Sequence, residues 1–175
     1  MDENVFVVLV VVCICIFAHF ARDVYEVLKD RRILRPDRTT FLVMFSNMAL
    51  LWLSWCLLCA LDPYRLDSPD AIRYAGMALF AVGVMLFIVG LLTLGTLESC
   101  ENDLVTRGIY SRIRHPMYLA FILWLIGLPL SFGGLFSFIL SPIFVANVLW
   151  WRYLEEKELE RRFVSYKEYR RVTLF

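Results

Sequence analysis

Arg114-His115-Pro116-Met117-Tyr118 opens an unbroken apolar run inside GIYSRIRHPMYLAFILWLIG, residues 108 to 127. A proline suits the first position of a helix, where its missing N–H costs nothing. His115 then falls at or near the N-cap. The free N–H groups at such an end, with the helix dipole, favour a bound carboxylate or phosphate. Tyr118 returns to the face of His115 three residues on. Arg114, His115 and Tyr118 thus form a compact polar cluster beside the segment Asn102-Asp103-Leu104-Val105. A second set of reactive side chains lies in WWRYLEEKELERRFVSYKEYRRV, where Glu155 and Glu156 closely follow an apolar stretch. Glu155, Leu159 and Phe163 recur every fourth residue and line one helical face. Taken alone, RHPMY reads equally well as an interfacial anchor, and the tail as a solvated amphipathic helix. Together, the cations, the twin acids and the aromatic residues would make a pocket for a zwitterionic or cationic small molecule. The sequence contains no Ser-His-Asp set, glycine-rich phosphate loop, paired-carboxylate glycosidase pattern or metal cage.

Whether the two sets meet depends on the elements that carry them. The chain has 175 residues, is 60% hydrophobic and has mean hydropathy +0.65, which places it in the membrane class. Its length suits one membrane domain over 1–175, with 1–70 as accessory spans and 71–175 as the core. A bilayer core of ~30 Å needs about 20 apolar residues of helix. Spans are expected near 5–21, 41–61 and 71–97. The first follows acidic rather than basic residues and reads as a retained span, not a cleaved signal peptide. After Pro116 the apolar run continues to about 150, too long for one crossing. Pro129, Ser131, Gly133 and Gly134 signal a turn within it. Two short helices, 116–131 and 135–151, are expected to fold as a hairpin, followed by a cytoplasmic amphipathic C-terminal helix. The fold class is therefore all-α, polytopic, with five transmembrane helices.

Gly76, Gly83 and Gly90 recur every seven residues on one face of the third span, a device for close helix packing in lipid. Of the five cysteines, Cys56 and Cys59 have CxxC spacing but sit in WLSWCLLCAL with no charged partner near in sequence, so plain packing is expected. Basic residues set the orientation. Arg22, Lys29, Arg31, Arg32, Arg35 and Arg38 fall in the first loop. Arg107, Arg112 and Arg114 precede the motif, and seven more lie in the tail. Only Arg65 and Arg73 fall elsewhere, so 16 of 18 cations share one side. The expected topology is N-terminus outside and C-terminus cytoplasmic. The membrane would be the plasma membrane in a prokaryote and the endoplasmic reticulum in a eukaryote. A net charge of +1 gives no signal for nucleic acid.

LVTRGIYSRIRHPMYL, followed after a hairpin by EExxLxxxF and two tyrosines, resembles the isoprenylcysteine carboxyl methyltransferase and phospholipid methyltransferase superfamily over about 71–175. The resemblance implies a membrane-embedded enzyme using S-adenosyl-L-methionine. By position, Asn102, Asp103, Leu104, Val105, Tyr110, His115, Pro116, Met117 and Tyr118 look like cofactor-contacting segments. Glu155 matches the cofactor-binding glutamate, with Glu156 its neighbour. Arg152 looks like the arginine beside the substrate's reacting group, the catalytic candidate, although it precedes Glu155 by three residues where the family usually has four. Trp151 occupies the expected place, and Val164 replaces the usual glycine. The implied partners are a lipophilic methyl acceptor, prenylcysteine-like or lipid, and the surrounding membrane lipids, with no metal. Carboxyl O-methylation of a prenylcysteine-like acceptor is expected first. Phospholipid ethanolamine N-methylation and thiol S-methylation are the alternatives within the enzyme class. An NADPH-dependent membrane reductase and a non-catalytic scaffold are the alternatives outside it.

Overall fold

The computed structural model describes residues 3–34, 37–94 and 104–175. Six α-helices run through them: α1 Glu3–Asp30, α2 Arg38–Ala60, α3 Asp70–Leu94, α4 Pro116–Phe132, α5 Leu135–Arg162 and α6 Tyr166–Val172. Among the described residues, a 3-10 turn, Gly108–Ser111, precedes α4. Helices α1, α2, α3 and α5 are long and apolar enough to cross a membrane, and α4 is a shorter apolar helix. The all-helical expectation holds, with two corrections to the element boundaries. The first helix does not stop at 21 but continues to Asp30, so Arg22 and Lys29 are helical rather than loop residues. The tail is not a separate amphipathic helix either. α5 runs unbroken to Arg162, with Phe163 as its C-cap, and a short α6 follows. Neither boundary has a Gly or Pro to stop the helix, and charged side chains at i,i+4 spacing carry it past the apolar edge. Arg22 pairs in this way with Glu26, and Arg162 with Glu158.

The three glycines are the buried residues of α3, and they face α4. A Cβ built on Gly76 would meet the Ser131 backbone nitrogen at 2.6 Å, and one on Gly127 would meet the Gly76 carbonyl at 2.8 Å. Higher up, Gly83 lies against Trp124, and Gly90 against Pro116 and Met117. The stripe thus brings two helix backbones together along the length of α4. The core fills the other side of α4, with Phe121 and Leu125 packed among Leu51, Trp55 and Leu58 of α2 and Val148 and Trp151 of α5. Cys15 and Cys59 belong to the same core and are free. Among the described residues no group of His, Cys, Asp or Glu is arranged to hold a metal ion.

The hairpin between α4 and α5 turns on Gly133 and Gly134, one turn beyond the proline expected to take part. Pro129 sits inside α4, and Gly133 caps the helix in the left-handed region at φ 66°. Proline has no N–H to give the carbonyl four residues back. That carbonyl, of Leu125, instead accepts the Ser141 hydroxyl of α5 at 2.6 Å. Asp62 caps the start of α5 by accepting the Ser137 N–H and hydroxyl, each at 2.7 Å. Arg65 and Arg73, the two cations expected on the far side, donate to carbonyls at the end of α4. The opposite end of the bundle gathers Arg22, Lys29, Arg114, Arg152 and the tail.

Candidate functional site

Helix α4 starts as its sequence suggests. Pro116 is at its first turn, and His115 is its N-cap, at φ −126° and ψ 64° and making no side-chain capping bond. The imidazole is therefore free to face across the bundle. Its Nε2 lies 3.4 Å from Glu156 of α5 and 3.5 Å from the Tyr166 hydroxyl of α6. His115 is 5% exposed and Glu156 5% exposed, so this contact is shielded from solvent.

Glu156 is the hub of the tail. Beyond His115, its carboxylate lies 3.3 Å from Arg114 Nε, 3.9 Å from Arg170 and 4.0 Å from Arg152 Nε. Arg114 also donates to the carbonyls of Arg170 and Thr173, at 3.1 and 2.6 Å. The last residues lie along the motif loop. Arg114 N–H donates to Leu174, Leu174 N–H to Arg112, and Ile113 pairs with Leu174 in a parallel bridge. Tyr169 donates to the carbonyl of Tyr110, whose side chain is buried. Burial, with Glu156 beside it, pushes the Tyr166 phenol above its ordinary range, so it stays a neutral donor.

Glu155 faces another way, because consecutive helical side chains point about 100° apart. The groups around it are His115 and Tyr118 from α4 and Lys29 and Arg22 from α1. α1 is held there by ion pairs to the extension of α5. Lys29 pairs with Glu158 at 3.0 Å, and Asp30 pairs with Lys157 and Arg161 at 3.3 and 2.8 Å. The twin acids thus have separate surroundings. Glu156 joins α4 to the tail, while Glu155 stands where α1, α4 and α5 meet. Arg152 lies beside Glu156, with its guanidinium 4.4 Å above the Phe175 ring.

Of the residues singled out from sequence, His115, Pro116, Tyr118, Arg152, Glu155 and Glu156 come to one end of the bundle, with Met117 packed near Gly90. Leu104 and Val105 are half-buried in the segment leading to the 3-10 turn. Asn102 and Asp103 lie outside the described residues. Sequence reasoning missed Arg22, Glu26 and Lys29, because the motif lies in the second half of the chain. The one available signal was the helical spacing of charges in ARDVYEVLKD. It also missed Arg170 and the terminal clip, which no motif marks, and gave Tyr166 a place in the tail motif without a partner.

The end of the bundle combines a helix N-terminus without a side-chain cap, a carboxylate that feels His115 and two basic side chains of α1, and the aromatic side chains of Tyr118 and Tyr166. Such a set suits a ligand carrying both a negative and a positive group. No curated protein and no solved structure matches the chain. A family model described as phospholipid methyltransferase matches residues 72–165, running from the start of α3 past the acids of α5. That match covers more than half of the chain, with both the start of α4 and the acids of α5, and the protein belongs to the phospholipid methyltransferase family of membrane methyltransferases.

Proposed function

We propose that this protein is an integral-membrane methyltransferase that uses S-adenosyl-L-methionine to methylate a lipophilic acceptor at the cytoplasmic face. The observation that carries the reading is the convergence of Glu155 with His115 and Tyr118 at the start of α4, within the family-matched segment. The residues present fit that cofactor. The N–H groups at the start of α4 have no side-chain cap, and with His115 they would hold a carboxylate. Glu155 would balance an ammonium or sulfonium charge. Pro116, Met117, Tyr118, Leu104, Val105 and Tyr110 would form the walls, with Asn102 and Asp103 contributing from the preceding segment. When bound, the cofactor supplies an activated methyl group.

The protein's part in such a transfer is position and charge. Aligning two reactants contributes on the order of 7–11 kcal/mol. Arg152, half-buried beside Glu156, would fix an anionic acceptor such as a prenylcysteine-like carboxylate. That group is already ionised and needs no general base. Ethanolamine N-methylation is the second reading, favoured by the description of the matched family. An ammonium must lose a proton before it can attack, and an arginine next to it opposes binding of the charged form. The proposed orientation, five crossings with the C-terminus inside, rests on the gathering of basic residues at the end that holds Glu155.

The reading is tested by incubating the purified protein with methyl-labelled cofactor and three acceptors: a prenylcysteine, phosphatidylethanolamine and a long-chain thiol. Label in the prenylcysteine ester is the expected result. Label in the phospholipid would replace the acceptor assignment. No transfer and no cofactor binding would overturn the enzymatic reading.

A further inference from the structure

A second polar cluster lies on the outer side of α1 and α5, apart from Glu155. His19 and Asp23 are one turn apart on α1, and Asn147 and Trp151 one turn apart on α5. The Trp151 indole N–H donates to Asp23 at 2.6 Å, and the Asn147 amide nitrogen lies 3.0 Å from His19 Nδ1. An amide NH2 only donates, so His19 Nδ1 is the acceptor of this bond. The neutral imidazole then carries its own hydrogen on Nε2. His19 is 4% exposed and stacked on Phe144 with centroids 4.1 Å apart. Its Nε2 is buried and has no hydrogen-bond partner among the described residues. Within hydrocarbon no bulk water reaches such a group.

Beside this cluster runs a groove of about 570 Å³ between α1 and α5, in which His19, Asp23 and Asn147 sit among Ile16, Phe20 and Ile143. Ile16, Phe20 and Ile143 are each more than half exposed and present an apolar wall to the membrane. We propose that the groove binds a hydroxyl-bearing amphiphile of the bilayer, its chain along that wall and its hydroxyl between His19 and Asp23. A hydroxyl both accepts and donates, which matches an imidazole N–H beside a carboxylate. A fatty acid would set its charge against Asp23. An ammonium has nothing to accept the His19 hydrogen, and an ester has nothing to donate to Asp23. The inference does not depend on the methyltransferase reading, since the groove residues are not those proposed to hold the cofactor or acceptor.

The test is equilibrium binding of radiolabelled 1-tetradecanol to the full chain in detergent micelles. Tetradecanoic acid, tetradecylamine and methyl tetradecanoate serve as competitors. Saturable binding is expected, with each competitor at least about tenfold weaker. Ala146→Phe fills the groove from an exposed position of its wall, and His19→Phe keeps the stacked ring but removes the N–H. Each should weaken tetradecanol binding about tenfold. Non-saturable partitioning, a competitor equal to the alcohol, or unchanged binding in Ala146→Phe overturns the proposal.

Discussion

Arg114 Nε lies 3.3 Å from Glu156 across 42 residues of chain, with both side chains at most one-tenth exposed. This pair closes the end of the bundle. One partner comes from the loop ahead of α4 and the other from the extension of α5, and the same guanidinium holds the carbonyls of the tail. Removing Arg114 takes away the nearest cation of Glu156 and the donor to two tail carbonyls. His115, Arg170 and Arg152 remain beside the carboxylate. The cost should stay below the roughly 3–5 kcal/mol of an isolated buried pair. Arg114→Ala should therefore lower the melting temperature and expose the segment after Arg162 to protease. An unchanged digestion pattern would show that the clip does not depend on this pair.

Glu155→Ala and Glu156→Ala should behave differently, because the two acids face different neighbours. The first is expected to weaken S-adenosyl-L-methionine binding at least about tenfold by calorimetry while leaving the tail docked. The second should release the tail, read by the same proteolysis. Equal effects in both assays would refute the division between them.

The glycine stripe on α3 makes a graded prediction. Gly76→Ala drives a methyl to within 2.6 Å of backbone in α4, whereas Gly90→Ala meets side-chain atoms of Met117 and Pro116 at 3.3 Å. Overpacking against backbone should cost about 1–3 kcal/mol at Gly76. Side chains can yield at Gly90, so thermal melts should separate the two variants clearly.

Ser141 and Pro129 offer a double-mutant cycle. Ser141→Ala leaves the buried Leu125 carbonyl unpaired and should cost about 1–3 kcal/mol. Pro129→Ala restores an N–H four residues after Leu125 and should recover much of that loss in the double variant. Additive melting shifts would show that the two residues do not share this carbonyl.

Much of this fold is legible in the chain. The period-seven glycines name the face of α3 that meets α4, and the proline after His115 marks where α4 begins. The clusters of basic residues after the first apolar run, before the motif and in the tail point to the end of the bundle where Arg22, Lys29, Arg114 and Arg152 gather. The limits of α1 and α5 are less legible, since an apolar run shows where hydrocarbon ends, not where a helix does. Besides the i,i+4 pairs within each helix, the two extensions are tied to one another, as Lys29 with Glu158 and Asp30 with Arg161. These pairings are long-range, and no local pattern announces them. The separate surroundings of Glu155 and Glu156 were hidden for the same reason. Adjacent letters on a helix look equivalent until the neighbouring helices are placed.

The Ser141 bond to Leu125 bears on biogenesis. Pro129 leaves a backbone oxygen of α4 with no donor in its own helix, so that helix would enter lipid carrying an unmet group. Only the following helix brings the hydroxyl that caps it. The two therefore gain by leaving the translocon as a pair, and a ribosome stalled before residue 141 would strand the first of them at the insertion channel.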